Sequence, residues 1–206
     1  MKKEAVLAIQ NLLATPKKIA IIPHRSPDGD AMGSTLALYH FLLKLNHNPV
    51  VISPNEFPNF LAWLPGSETV LIYENDKENG TKILNEAELV FTLDFNALHR
   101  TGEMEQVLNK LSAPMIMIDH HQNPKDYADL VFSNSKIGST CELLYEIFVS
   151  IGFESMINKD ISSCLYLGMM TDTGSFQYSS VTSRTHEIIS NLFNKKIDHN
   201  LIYNKV

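Results

Sequence analysis

Four short segments of this chain carry side chains able to hold metal or phosphate, and each follows an apolar run. Asp119-His120-His121 follows Met115-Ile116-Met117-Ile118. His24-Arg25-Ser26-Pro27-Asp28-Gly29-Asp30 follows Ile19-Ala20-Ile21-Ile22-Pro23, Asp94 follows Leu89-Val90-Phe91-Thr92-Leu93, and Asp172 follows the stretch from Cys164 to Met170. Taken singly these are weak signals. An Asp-x-Asp in a loop ordinarily makes a turn or caps a helix, Thr171-Asp172-Thr173-Gly174 reads as a helix end running into a turn, and the Asp-His-His triple reads as a solvated loop. Four such endings in one chain suggest one shared site. Carboxylates and imidazoles together are donors for divalent cations, and the mixture favours manganese, cobalt or zinc over magnesium, which prefers oxygen ligands and keeps its waters. Manganese is the expected metal.

The spacing assigns work within such a site. In His24-x-x-x-Asp28-x-Asp30, two carboxylates two positions apart at a strand-to-helix turn can point at different ions. Asp94, placed centrally, can bridge two ions about 3.5–4 Å apart, the separation at which attacking and leaving oxygens of a phosphoryl transfer are both stabilised. Adjacent His120 and His121 point different ways in any extended backbone, so one can bind metal while the other meets substrate. Asp119 then accepts a hydrogen bond from an imidazole N–H and fixes its tautomer.

The elements that must position these residues are legible in the apolar pattern. Strands are expected at about 19–23, 49–53, 88–93 and 115–118, alternating with helices at about 31–46, 103–111 and 138–151, the signature of βαβ units. The fold class is α/β: a mostly parallel, Rossmann-like sheet flanked by helices, with a helical C-terminal third. Ligands of such open sheets bind beyond the carboxyl ends of the strands, where Asp28, Asp94 and Asp119 arrive. Asp172 comes from the side, at the end of a buried helix over 160–170; further helices are expected over 182–194 and 198–205. Met1 to Lys18 reads as a short amphipathic helix. Pro54 to Pro65 reads as a surface stretch whose Phe57, Phe60 and Trp63 pack down, and Asn75 to Gly80 as an exposed loop.

With 17 basic against 23 acidic residues the net charge is −6, which argues against an extended nucleic-acid surface. Setting aside Asp28, Asp30, Asp94 and Asp172 leaves 17 against 19, so two bound divalent ions would let a formally acidic protein attract an anionic substrate. Cys141 and Cys164 have no motif-like spacing and read as core thiols of a reducing compartment. No apolar run reaches about 18 residues and no signal-peptide cleavage site follows the first helix, so a cytoplasmic protein away from the membrane is expected.

In this order, the four segments resemble the DHH phosphoesterase family, which includes RecJ-like proteins and is named after the motif that Asp119-His120-His121 reproduces. The form from His24 to Ser34, with Gly174 and Phe176 after Thr171-Asp172-Thr173, is most similar to the nanoRNase and pAp phosphatase branch, over about residues 15 to 206. The resemblance implies a two-manganese site in which His24 and Asp28 hold one ion, Asp30, His120 and Asp172 the other, and Asp94 bridges, with a bridging hydroxide as nucleophile. His121 matches the position that contacts the substrate phosphate, and Arg100, Ser139 and Thr140 fall near substrate-contacting segments. The implied activity is hydrolysis of short oligoribonucleotides from an end, or removal of the 3′-phosphate of pAp. The alternatives are a cyclic-di-AMP or linear dinucleotide phosphodiesterase, a pyrophosphatase, or a metal-binding domain without chemistry, which the fully occupied ligand set argues against. A homodimer stays open. Full-length members continue into a smaller domain with a glycine-rich, His-containing motif that grips substrate; no such motif occurs before Val206, so residues 1–206 are expected to be the catalytic domain, with 190–206 leading towards a substrate-binding domain.

Overall fold

In the computed structural model, residues 2–206 are described. Their strands are β1 (Lys18–Ile22), β2 (Asn48–Ser53), β3 (Leu71–Ile72), β4 (Leu89–Leu93), β5 (Met115–Asp119) and β6 (Leu130–Ser133). Their helices are α1 (Lys3–Leu12), α2 (Gly29–Lys44), α3 (Lys77–Glu86), α4 (Glu105–Leu108), α5 (Thr140–Ser150), α6 (Lys159–Asp172), α7 (Ser183–Phe193) and α8 (His199–Lys205). The strands form one sheet in the order β3-β2-β1-β4-β5-β6, and every neighbouring pair is parallel. In doubly wound sheets of this order the direction of winding reverses between β1 and β4, and the crevice at that point receives ligands. His24 follows β1 and Asp94 follows β4, so the two flank the crevice.

The strands are apolar on both faces because both are covered. Ile19, Ile21, Leu89, Phe91, Ile116 and Ile118 face the larger core, beneath α1, α2, α5, α6 and α7. Ala20, Ile22, Val90 and Met115 face a thinner one with Leu84 of α3 and Leu108 of α4. Cys141 and Cys164 are buried free thiols in the larger core. Among the described residues no helix is long and apolar enough to cross a membrane.

The seam that matters most runs between α2 and α6, which pack antiparallel with Gly29 beside Thr171 and Gly33 beside Cys164. A Cβ at Gly33 would lie 2.5 Å from the Cys164 carbonyl oxygen, and one at Gly168 would lie 2.7 Å from Asp30 Oδ1. Without side chains at these positions the two helices approach closely, which brings the C-terminal end of α6 against the N-terminal end of α2.

The four expected strands are β1, β2, β4 and β5. β3 and β6 were not expected: their apolar runs, Val70-Leu71-Ile72 and Leu130-Val131-Phe132, are only three residues long, and β6 buries only Phe132. Three expectations need correction. The N-terminal helix stops at Leu12 instead of Lys18, because Pro16 can neither donate a helical hydrogen bond nor let the residue before it turn easily into α geometry; Met1 lies outside the described residues. Asn75 to Gly80 is only partly loop, because the Asp76 carboxylate accepts the Asn79 N–H at 3.1 Å and starts α3, and Gly80 is buried against Tyr73. The helix over 103–111 contracts to α4, entered through a 3₁₀ segment in which Gly102 has φ 62°. Phe57 and Trp63 pack partly against the larger core, while Phe60 is 44% exposed.

Candidate metal centre

Asp28 occupies the N-cap of α2, where its Oδ1 accepts the Asp30 and Ala31 N–H groups, both at 3.0 Å. The cap is the ordinary job of an Asp in such a loop. Here it also fixes Oδ2 at 3.7 Å from His24 Nε2. His24 Nδ1 lies 2.9 Å from the Arg25 carbonyl oxygen, which can only accept, so Nδ1 carries the proton and Nε2 faces the carboxylates.

Asp30 points the other way, into the α2–α6 seam, and is fully buried. Its Oδ2 accepts the Thr140 N–H at 2.6 Å and its Oδ1 the Cys141 N–H at 2.9 Å. These are first-turn amides of α5, the positive end of that helix.

Asp94 sits just past β4 at φ 65°, a left-handed conformation that Asp tolerates better than most residues. Its two oxygens face different neighbours: Oδ2 is 3.5 Å from His24 Nε2, and Oδ1 is 3.5 Å from His120 Nε2 and 3.8 Å from His121 Nδ1. The Thr140 hydroxyl donates to Oδ1 at 2.8 Å. His120 Nε2 is also 3.1 Å from Asp172 Oδ2 and 3.9 Å from Asp30 Oδ2. His121 turns towards Asp119, with Nδ1 2.7 Å from Asp119 Oδ1, so the imidazole that Asp119 orients is His121. Asp119 Oδ2 is buried and has no hydrogen-bond partner among the described residues.

The ligand-type atoms therefore gather into two groups that share Asp94, namely His24, Asp28 and Asp94, and Asp30, His120 and Asp172 with Asp94 Oδ1 beside them, and a third trio, Asp94, His120 and His121, overlaps the second. Within each trio the donor atoms lie within 4.8 Å of one another. The electrostatics fit cations. Burial, with the Asp94 and Asp172 charges, pushes the Asp30 carboxyl well above its ordinary range, and burial raises Asp94 against the pull of His24. Burial opposes a proton on His24, but Asp28, Asp94 and the Arg25 carbonyl outweigh it and carry the ring up to about 10. The same contest raises His120 to about 9, with Asp172 the main partner. Burial also disfavours ionised Asp28, but His24 and the two capping amides win and lower it. Crowded carboxylates that draw protons onto imidazoles are a donor set suited to divalent ions, which answer the same charge.

Of the remaining expected residues, Thr140 hydrogen-bonds Asp94 and Asp30 directly, while Ser139 and Arg100 hydrogen-bond elsewhere. The Arg100 carbonyl accepts the Arg25 N–H at 2.7 Å, and its side chain enters no hydrogen bond or ion pair among the described residues. Ser139 caps α5 by accepting the Glu142 N–H at 3.0 Å. Ser139 and Thr140 are fully buried, and their hydroxyls are engaged inside the protein where substrate contacts were expected, because α5 packs its first turn onto Asp30 and Asp94. Sequence reasoning missed Gly168 and the Cys141 amide, and placed Gly33 in the first turns of α2 without the close contact it makes with α6. Gly29 and Gly33, four apart inside one helix, were the available signal for a close helix contact. After Asp172, Gly174, Ser175 and Phe176 all have positive φ, at 56°, 57° and 66°, and the Thr173 hydroxyl accepts the Phe176 N–H at 3.0 Å, so α6 ends abruptly beside the centre.

Comparison with known proteins adds to this geometry. The bifunctional oligoribonuclease and PAP phosphatase NrnA of Mycoplasma genitalium is 27% identical over 205 residues, covering 98% of this chain and 61% of that protein. A crystal structure of an exopolyphosphatase-related protein from Bacteroides fragilis superposes with a TM-score of 0.97 at 42% identity, over 100% of this chain and 60% of that one. A putative family II inorganic pyrophosphatase from Methanococcus jannaschii (TM-score 0.62, 16% identity, 91% of this chain and 60% of that one) shares the fold. So does the exonuclease RecJ bound to manganese (TM-score 0.54, 17% identity, 93% of this chain and 46% of that one). The chain thus spans about three-fifths of the length of its NrnA and Bacteroides relatives. Residues 18–169 match the family described as DHH family, N-terminal domain, and on that match across most of its length the chain belongs to the DHH family.

Proposed function

We propose that this chain is the metal-binding catalytic domain of a cytoplasmic phosphoesterase that hydrolyses short oligoribonucleotides or the 3′-phosphate of pAp. One observation carries the reading: the two oxygens of Asp94 face opposite ways, Oδ2 3.5 Å from His24 Nε2 and Oδ1 3.5 Å from His120 Nε2. A carboxylate so placed suits a two-ion centre. His24 and Asp28 would hold one ion, Asp30, His120 and Asp172 the other, and Asp94 both. Bound there, a pair of divalent cations, manganese by the character of the donors, supplies Lewis acidity to the phosphate and lowers the pKa of water. His121, held at Nδ1 by Asp119, keeps Nε2 free to meet a phosphate oxygen. The α5 amides hold Asp30 in place, so the carboxylate cage needs little reorganisation when charge develops on the phosphorus oxygens.

The names of the NrnA relatives favour oligoribonucleotides and pAp as substrates. The exopolyphosphatase-related name of the 42% identical structure favours a second reading, hydrolysis of a phosphoanhydride at the same centre. The test is product analysis with manganese on pAp, a diribonucleotide, cyclic di-AMP, pyrophosphate and polyphosphate. The first reading expects release of AMP from pAp or mononucleotides from the diribonucleotide. Turnover confined to pyrophosphate or polyphosphate would replace it with the second, and turnover confined to cyclic di-AMP would replace both.

A further inference from the structure

We infer that Thr140 is a positioning residue that tunes the second ion position through Asp94 and Asp30 and does not touch substrate. The inference rests on the two-ion reading above and deepens it. Thr140 reaches both carboxylates at once: its hydroxyl donates to Asp94 Oδ1 at 2.8 Å and its backbone N–H donates to Asp30 Oδ2 at 2.6 Å. Both acceptor oxygens belong to the same side of the centre. Asp94 Oδ1 is 3.5 Å and Asp30 Oδ2 3.9 Å from His120 Nε2, whereas the oxygen that faces His24 is Asp94 Oδ2. Thr140 is fully buried, and the Cys141 N–H beside it occupies Asp30 Oδ1 at 2.9 Å, so the first turn of α5 grips Asp30 by both oxygens.

The physical consequence is directional. An ionised carboxylate accepts and never donates, so the hydroxyl consumes one lone pair of Oδ1 and leaves another for an ion. It also locks the Asp94 rotamer, which the φ of 65° has already turned away from the ordinary strand direction. Removing the hydroxyl while keeping the shape frees Oδ1 to rotate and leaves the backbone grip on Asp30 intact. Outer partners of metal ligands are worth roughly 10- to 100-fold in metal affinity. The loss should fall on the ion held by Asp30, His120 and Asp172, with a smaller effect on the one held by His24 and Asp28.

The experiment is manganese titration of the full chain with electron paramagnetic resonance, comparing wild type, Thr140→Val, which keeps the shape, and Thr140→Ser, which keeps the hydroxyl. Wild type is expected to give the signal of an exchange-coupled pair at two equivalents. Thr140→Val should give the uncoupled signal of a singly occupied chain, with the weaker affinity reduced roughly 10- to 100-fold, and Thr140→Ser should restore the pair. Two backgrounds resolve the position: added to Asp28→Ala, Thr140→Val should weaken the one remaining ion by that factor, and added to Asp172→Ala by no more than about twofold, as for independent sites. The inference is overturned if Thr140→Val keeps the coupled pair at wild-type affinity, if Thr140→Ser loses it equally, or if both backgrounds respond alike. If wild type binds no manganese, it is the two-ion reading that fails. Should Thr140→Val not fold by circular dichroism, Thr140→Ala replaces it in every arm and is judged by the same outcomes.

Discussion

His24 and Asp28 reach their shared space from a single loop, whereas Asp30, His120 and Asp172 reach theirs from the start of α2, the end of β5 and the end of α6. The first group is local: His24 is buried, but its Asp28 side chain is 57% exposed and is fixed by a cap that any helix start could supply. The second is assembled by packing. Asp30 is fully buried, gripped by α5 and pressed against Gly168 of α6. The difference teaches that one half of the centre depends on short-range geometry, while the other depends on three helices meeting correctly. Packing changes in the helices should therefore disturb metal affinity in the second group far more than in the first.

The change with the largest expected effect removes what the groups share. Asp94→Ala should abolish binding at both positions and lower hydrolysis by at least about 10²–10³-fold, the loss expected from one preorganised electrostatic group. Loss of a single ion, read by metal analysis, would keep the comparison but end the bridging role. Next comes the seam. Gly168→Val forces a side chain into space held by Cys141 and Asp30, at an expected cost of about 1–3 kcal/mol or more. The midpoint of thermal unfolding should fall by several degrees, and manganese affinity at the second position should fall with it while the His24–Asp28 position keeps its ion. Equal loss at both would contradict the division.

The third prediction concerns protons. His24 and His120 are raised from 6.5 to about 10 and about 9, so the metal-free folded state binds more protons than the unfolded chain above pH 6.5. That stability is fully present below the unfolded pKa and is lost as pH rises through about 9 to 10; the raised Asp30 carboxyl acts in the same direction. Metal competes with those protons, so manganese affinity should rise over the same window. Thermal melts from pH 7 to 9 should show the metal-free protein weakening and the stabilisation by manganese growing; a pH-independent gap between them would count against the protonated imidazoles. The smallest effect lies outside both groups. Thr182→Ala removes one half of the Thr182–Thr185 capping box of α7 and should cost about 0.5–2 kcal/mol, visible in the melt, with metal content unchanged.

The same contrast separates what the sequence revealed from what it hid. β1, β2, β4 and β5 were legible because buried parallel strands are continuous apolar runs, and with them the landing points of His24, Asp94 and His120. β6 was less legible because its run, Leu130-Val131-Phe132, is short and, at the edge of the sheet, buries only Phe132. The D-x-D cap was legible locally, and Asp172 at the end of a helix followed from the apolar spacing of α6. The grip of α5 on Asp30 and Asp94 was not, because it is made by two backbone amides and a hydroxyl more than forty positions away from either carboxylate, and nothing in Gly138-Ser139-Thr140 says where its helix will dock. Asp119 was expected to orient an imidazole; which one depended on the turn after β5, and it is His121.

The most direct test of the central claim is a crystal structure of the manganese-loaded chain with anomalous scattering at the manganese edge. Two peaks about 3.5–4 Å apart, one bonded to Asp94 Oδ2 with His24 and Asp28 and one to Asp94 Oδ1 with Asp30, His120 and Asp172, are the predicted result. A single peak, or two with both Asp94 oxygens on the same ion, would contradict it.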